Sequence, residues 1–198
     1  MTRNAYDRRT FRGVTLNERT IAMIKTAERG LGFALGLTQG SYNAGGVSAS
    51  GGTHDGGGAV DFSVSSYPMK KRLRVQHAMR RVGFADWDRP ALVNEWPTHN
   101  HGIAIGDKEV APEAWLQVQD YYAHGNGLYP YVGHDDVYPW RPDPIPVFDY
   151  QAYLDRQETR KRIVKVRDRI GELLREIRAT RRRIRARRER IDLLRKHR

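Results

Sequence analysis

The first 124 residues alternate between two hydrophobic periods, one helical and one strand-like. Ile21, Ile24 and Ala27, with Met23 beside them, recur at helical spacing. The helix they predict starts around Thr15–Glu18, with Asn17 as its N-cap, and stops at Gly30. A short strand is expected from Gly32 to Gln39, leading into a glycine-rich loop. Gly57 to Ser63 predicts a second strand, on which Val60, Phe62 and Val64 alternate with Ala59, Asp61 and Ser63. Successive strand side chains point to opposite faces, so one face is apolar and core-facing, while the other is small or polar and suits a site.

Pro68 to Val82 reads as a basic amphipathic helix, with Met69, Leu73, His77 (or Gln76) and Arg80 on successive turns, ended by Gly83. Strands are expected at Phe84–Trp87, Ala91–Glu95 and His99–Ile105. Pro112 opens a further helix running to about His124, because proline loses nothing at a first helical turn. From Gly125 to Phe148 the chain is rich in Pro, Gly, Tyr and Asp without a period, which predicts an irregular linker or strap over 125–150.

From residue 151 to the end the pattern changes to heptads. Ile163, Ile170, Ile177, Ile184 and Ile191 are spaced by seven, and Val166, Leu173 and Leu194 fill the position three residues on, where Thr180 and Arg187 interrupt. A long basic helix is expected, with a seam suited to pairing in a coiled-coil homodimer; a hairpin or a lone helix is the alternative. Charge follows the same division. The segment after Tyr150 holds 19 Lys and Arg against 7 Asp and Glu, the whole of the chain's net +12, so residues 1–150 are formally neutral. The expected organisation is a folded domain over 1–124, the strap over 125–150 and the basic helix over 151–198.

The chain has no cysteine, which excludes disulfides and thiolate metal ligands. Its start is polar, and the apolar run Leu31–Leu37 is too short to span a bilayer. Synthesis in the cytosol without a signal peptide is the expectation.

Candidate chemistry concentrates in two stretches. Ser48–Ser63 places His54 and Asp61 on either side of the consecutive glycines Gly56, Gly57 and Gly58. A spacing of seven cannot bring both to one face of a straight strand, but the glycines supply a turn that lets both reach one ion. His99 and His101 are two apart, so on a strand they share a face. One can ligate while the other serves the same cavity as an acid, a base or a charge stabiliser. Imidazoles and a carboxylate with one position left open are the donor set of a hydrolytic Zn2+.

The pattern His54-x-x-Gly57-x-Ala59-x-Asp61 resembles the motif of D-Ala-D-Ala metallopeptidases of the VanY and VanX type. Together with lysostaphin-type peptidases and the hedgehog domain these form the LAS superfamily, whose His-x-His is similar to His99-x-His101. The resemblance covers roughly Leu31 to Gly106. It implies an α+β fold with a small antiparallel sheet flanked by helices, a zinc ion held by His54, Asp61 and His101, and hydrolysis of peptide bonds in peptidoglycan stem peptides. Similar domains occur in phage endolysins and cell-wall hydrolases, which implies action at the cell wall after release.

The sequence departs from that family at three places. Gly52 stands where a serine is usual, and Thr98 stands where VanY-type enzymes place a glutamate, the nearest carboxylate being Glu95. Gly40-Ser41-Tyr42 is followed by Asn43 where an arginine is common. The general base is therefore expected to be His99, with Glu95 in reserve. A side-chain amide from Gln39 or Asn43 would polarise the scissile carbonyl, and Ser41, Tyr42 and Asn43 would line the substrate groove. Asp55 is either a second acceptor for an imidazole or a solvated turn residue. Trp87 and Trp96 are expected to pack, with walling of the substrate groove the alternative, and His77, His124, His134 and His197 read as surface or core histidines.

The run Arg181–Arg190 suits a polyanion, with teichoic acid or anionic lipid headgroups ahead of nucleic acid; a solvated helical face or a dimerisation arm is the equal alternative. The functional expectation is a zinc-dependent peptidoglycan peptidase, either a D-Ala-D-Ala carboxypeptidase or an endopeptidase. The alternatives are a non-catalytic, zinc-containing wall-binding or virion module, and a coiled-coil polyanion-binding protein.

Overall fold

A four-stranded antiparallel sheet separates two apolar clusters in the computed structural model, which describes residues 4–92, 96–128 and 135–196. The chain divides into two units, Met1–Tyr150 and Gln151–Arg198. In order, the elements are β1 (Arg8–Phe11), β2 (Val14–Asn17), α1 (Glu18–Leu31), β3 (Gly36–Gln39), β4 (Ala59–Ser63), α2 (Met69–Arg81), β5 (Phe84–Arg89), β6 (His99–Ala104), α3 (Pro112–Tyr122) and α4 (Tyr150–Lys196). The architecture is α+β, with two small antiparallel sheets and four α-helices among the described residues.

The main sheet runs β3-β4-β6-β5. Its register pairs Asp61 with His101 and Trp87 with His101, so these three residues share one face. Val60, Phe62 and Phe84 point the other way, onto α1 and α2, into a core with Ile21, Ile24, Ala27, Val75 and Met79. On the site face Ala59, Ala85, Trp87 and Ile103 pack against Ala114, Val118 and Tyr121 of α3. Because α3 covers only part of that face, the rest stays open as a cleft.

Several elements differ from the sequence expectation. Residues 8–17 form a hairpin rather than a polar lead-in, with Arg12 and Gly13 both at positive φ (51° and 87°) in its two-residue turn. That turn matches the strand twist, but it lacks the Asn-Gly or Asp-Gly signal that would announce it. Asn17 caps α1 as expected, its side chain accepting from the Thr20 backbone N–H at 2.8 Å. The helix runs through Gly30, however, and ends only where Gly32 adopts φ 81°. Consequently β3 starts at Gly36, not Gly32.

In α2 the buried face is Val75, Gln76, Ala78, Met79 and Arg80, while Met69 is exposed. Arg80 is fully buried because the strap gives it acceptors. It donates to the carbonyls of Asp86 (2.9 and 2.6 Å), Tyr138 (2.7 Å) and Trp140 (2.5 Å) and to Asp136 Oδ2 (2.6 Å). The strap therefore belongs to the folded unit that includes the sheet. Of the strand expected at Ala91–Glu95, residues 93–95 lie outside the described residues, and Leu92 forms a single antiparallel bridge with Trp96.

The second unit is one continuous helix, not a hairpin, and no residue of α4 is buried. No helix among the described residues is long and apolar enough to cross a membrane.

Candidate metal centre

His54 arrives from a loop, Asp61 from the middle of β4 and His101 from the neighbouring β6. The loop needs its glycines. A Cβ on Gly56 would collide with the backbone of Glu109 and Ala111, and Gly58 takes φ 82° in contact with Asp107. With no side chain in the way, the loop folds back and brings His54 beside Asp61. The backbone of Asn43 donates to the His54 carbonyl at 2.9 Å, fixing the loop from the other side.

The three side chains converge. One ligand atom from each of His54, Asp61 and His101 lies within 4.8 Å of the others, and the residues are 1%, 8% and 6% exposed. His54 Nδ1 donates to the Gly40 carbonyl at 2.8 Å, which turns Nε2 toward Asp61 Oδ1, 3.4 Å away. That carbonyl plays the orienting part considered for Asp55, which is exposed. His101 Nδ1 lies 2.7 Å from the same Oδ1, and its Nε2 lies 2.9 Å from Gln117 Oε1 on α3. Trp87 stacks on the His101 ring, with centroids 6.3 Å apart and planes inclined by 19°.

The electrostatics favour a bound cation. Burial alone would raise the Asp61 carboxyl, but the hydrogen bonds from His101 and His54 outweigh it and hold the group well below the usual carboxylate range. Burial pushes the His101 ring below its ordinary value, against the pull of Asp61. A neutral ring has one proton, yet both nitrogens of His101 face oxygen acceptors. A cation at Nδ1 resolves the conflict, leaving Nε2–H for Gln117. Ligand atoms on a tetrahedral zinc stand about 3.3 Å apart. The His54–Asp61 pair already has that spacing, and the His101–Asp61 pair would have to part by only roughly half an ångström. The residues fit a divalent metal with imidazole and carboxylate ligands.

The cleft above this trio is lined by Gln39, Ser63, Arg89, Trp96, His99 and Gln117, among others. His99 donates from Nδ1 to the Pro97 carbonyl at 2.8 Å, so Nε2 is the nitrogen left with a lone pair. Gln39 sits at the cleft, and its Nε2 is buried with no partner among the described residues. Glu95, the reserve base, lies outside the described residues, as do His134 and His197.

The groove residues expected from the Gly40-Ser41-Tyr42-Asn43 turn require correction, because none of the last three lines the cleft. Ser41 is buried and donates to the Ala59 carbonyl at 2.7 Å. The Tyr42 hydroxyl bonds Glu109 and accepts from Asn17 at 3.1 Å. Burial first, then the Glu109 hydrogen bond, pushes that hydroxyl above its ordinary value. Asn43 braces the loop through its backbone. The turn thus supports His54 from behind, and Gln39 is the amide that faces the cleft.

Sequence reasoning missed Arg89 and Gln117. Gln117 stands on the buried stripe of α3, three residues after Ala114, and a polar side chain on such a stripe was the available signal. Arg89 extends the Phe84–Trp87 pattern by two residues, on the same face as Trp87. No family model matches the chain, and no curated protein or solved structure is significantly similar to it.

Proposed function

We propose that the chain is a zinc-dependent peptidase of peptidoglycan stem peptides, with a fold of the LAS type, acting at the cell wall after release, as a phage endolysin does. The observation that carries this reading is the buried convergence of His54, Asp61 and His101 in an open cleft that His99 also lines, with His99 Nδ1 held by the Pro97 carbonyl. In it, His54, Asp61 and His101 would hold the zinc. When bound, the metal would supply an acidified water and Lewis-acid polarisation of the scissile carbonyl.

The chain's own groups do the rest. His99 takes a proton from the attacking water at Nε2 and delivers it to the departing amine, while the Pro97 carbonyl holds its tautomer through Nδ1. Gln39 Nε2 donates to the carbonyl oxygen as charge develops there. His54 and His101 are held in place by Gly40 and Gln117.

The basic helix α4 is read as a tether to teichoic acid or anionic lipid headgroups. Its half-exposed isoleucine seam is read as the contact of a homodimer.

Metal analysis of the purified protein paired with a muropeptide digest tests the proposal. One zinc per chain and new amino termini released from peptidoglycan are expected, with release abolished by chelation and by His54→Ala. Stoichiometric zinc with binding to sacculi but no release would replace the enzyme with a wall-binding module. Release that survives His54→Ala would end the zinc reading.

A further inference from the structure

The isoleucine seam of α4 is bordered almost entirely by arginine. The residue before each isoleucine is arginine except at Glu176, and the residue four after each is arginine except at Leu174. In a heptad helix these two positions flank the seam and meet the neighbouring helix at its edges. Of the acidic residues between Ile163 and Arg195, only Glu176 takes a flanking position; Asp168, Glu172, Glu189 and Asp192 stand elsewhere. Glu172 pairs with Arg169 at 2.8 Å and Glu189 with Arg185 at 3.0 Å, within the same helix. Such exposed pairs contribute little, so the flanking arginines are free to exchange partners. The helix is continuous from Tyr150 to Lys196 and buries none of these side chains.

A second copy laid along the seam sets arginine against arginine. Where the helices run parallel, Arg162 faces Arg167 of the other copy, Arg183 faces Arg188 and Arg190 faces Arg195. Antiparallel helices bring like positions together, and those are arginine too. Thr180 and Arg187 already weaken the seam at its inner positions. The component that such a pair lacks is negative charge along its edges. Each edge holds about one arginine per 6 Å over roughly 50 Å of helix. A flat bilayer reaches only one edge and competes for the isoleucines, because a basic amphipathic helix buries its apolar face in the membrane interface. A linear phosphate polymer can follow either edge and leave the seam closed.

We propose that two copies of α4, paired along the seam, form one binding surface for a linear phosphate polymer, and that the polymer tightens the pair by neutralising its arginine borders. This rests on the reading of α4 as a paired, polyanion-binding helix and is independent of the peptidase chemistry. By linkage the two effects are equal: whatever factor the polymer adds to pairing, pairing adds to the affinity for the polymer.

The test follows the full chain by sedimentation over a concentration series, with inorganic polyphosphate as the probe. Polyphosphate is expected to lower the dimer dissociation constant about tenfold or more. Without polymer, added sodium chloride should tighten the dimer by screening like charges, whereas binding of the polymer should weaken with salt. Arg188→Glu turns a repulsive contact on each edge into an attractive one. It should pair more tightly than the wild type without polymer and respond to polymer less. Ile177→Asp keeps every arginine but loses the seam. It should stay monomeric and bind polyphosphate about tenfold more weakly, a result that charge attraction to single helices does not give.

A dimer constant unchanged or raised by polyphosphate would overturn the proposal, as would an Ile177→Asp chain that binds or assembles on polyphosphate as well as the wild type. Phosphatidylglycerol vesicles that drive pairing as strongly, read by cross-linking, would replace the linear polymer with a membrane surface. A wild-type chain that is monomeric both with and without polymer ends the pairing reading as well. A dimer indifferent to polyphosphate leaves pairing standing and removes only this inference.

Discussion

Gln117 Oε1 lies 2.9 Å from His101 Nε2 and so decides which nitrogen of His101 faces Asp61. The contact joins the middle of α3 to the centre of the sheet, two elements whose other contacts are apolar. Gln117→Leu would leave a buried Nε2–H without an acceptor and free the ring to choose its tautomer. Affinity for a divalent metal is expected to drop by about 10–100-fold, the usual effect of losing an outer partner of a metal-bound histidine. Competition against a chelator of known affinity measures it. Gln117→Glu, which keeps the acceptor, should retain most of the affinity.

Asp86 sits fully buried on the opposite face of the sheet. Its Oδ1 accepts from Asn100 Nδ2 at 3.0 Å, while Asp86 Oδ2 and Asn100 Oδ1 have no partners among the described residues. Burial raises the carboxyl well above its ordinary value, and the Asn100 hydrogen bond and the charge of Arg80 only partly oppose that. The native state therefore holds a proton that the unfolded chain releases. The stability this group contributes is fully present below the unfolded carboxylate range and is lost as pH rises through the raised native value. Asp86→Asn should stabilise the fold at pH 8 by about 1–3 kcal/mol, since the amide carries no charge to bury and can donate toward Asn100. At pH 4 the two proteins should be nearly equal. Urea denaturation at both pH values tests this, and a variant less stable at pH 8 would refute it.

Arg80 is the link between α2 and the strap. Arg80→Met keeps most of the side-chain volume but leaves the Asp86, Tyr138 and Trp140 carbonyls without this donor and takes from Asp136 its closest cation. A loss of about 3–5 kcal/mol is expected, as for other broken buried charge networks. Thermal unfolding reads it, and cleavage by protease within the strap should rise in parallel.

The isoleucines of α4 are each 47–51% exposed in the single chain, and the helix carries no buried residue over its 47 positions. If its seam pairs with a second copy, the full chain should sediment as a dimer at micromolar concentration, and Ile177→Asp should return it to a monomer while leaving its capacity to bind a divalent metal unchanged. Binding to anionic vesicles should weaken steeply with added salt, because the arginines act through screened charge. A wild-type protein that sediments as a monomer at every concentration would end the pairing reading.

Much of the architecture was legible because it depends on local rules. Alternation along Ala59–Ser63 identified both faces of β4, heptad spacing identified a helix after residue 150, and Asn17 announced the start of α1. The candidate ligands were legible for a different reason: glycines between His54 and Asp61 and a spacing of two between His99 and His101 restrict where those side chains can go. The Ser41–Asn43 turn was misplaced because a backbone that looks free to face a ligand can equally face a neighbouring loop, and Glu109 and Ala59 decided which.

By itself, then, the sequence determined the periodic elements, the separation of a neutral body from a basic helix, and the residues able to hold a cation. Only tertiary structure decided that Gly40 and Gln117 would orient the two imidazoles, that Arg80 would be buried under the strap, and that Arg89 would be buried at the cleft with Nη1 held by the Asn126 carbonyl. Each of these depends on a partner distant along the chain. Periodicity reports which face of an element is buried; it carries no record of which polar group from another element waits on that face.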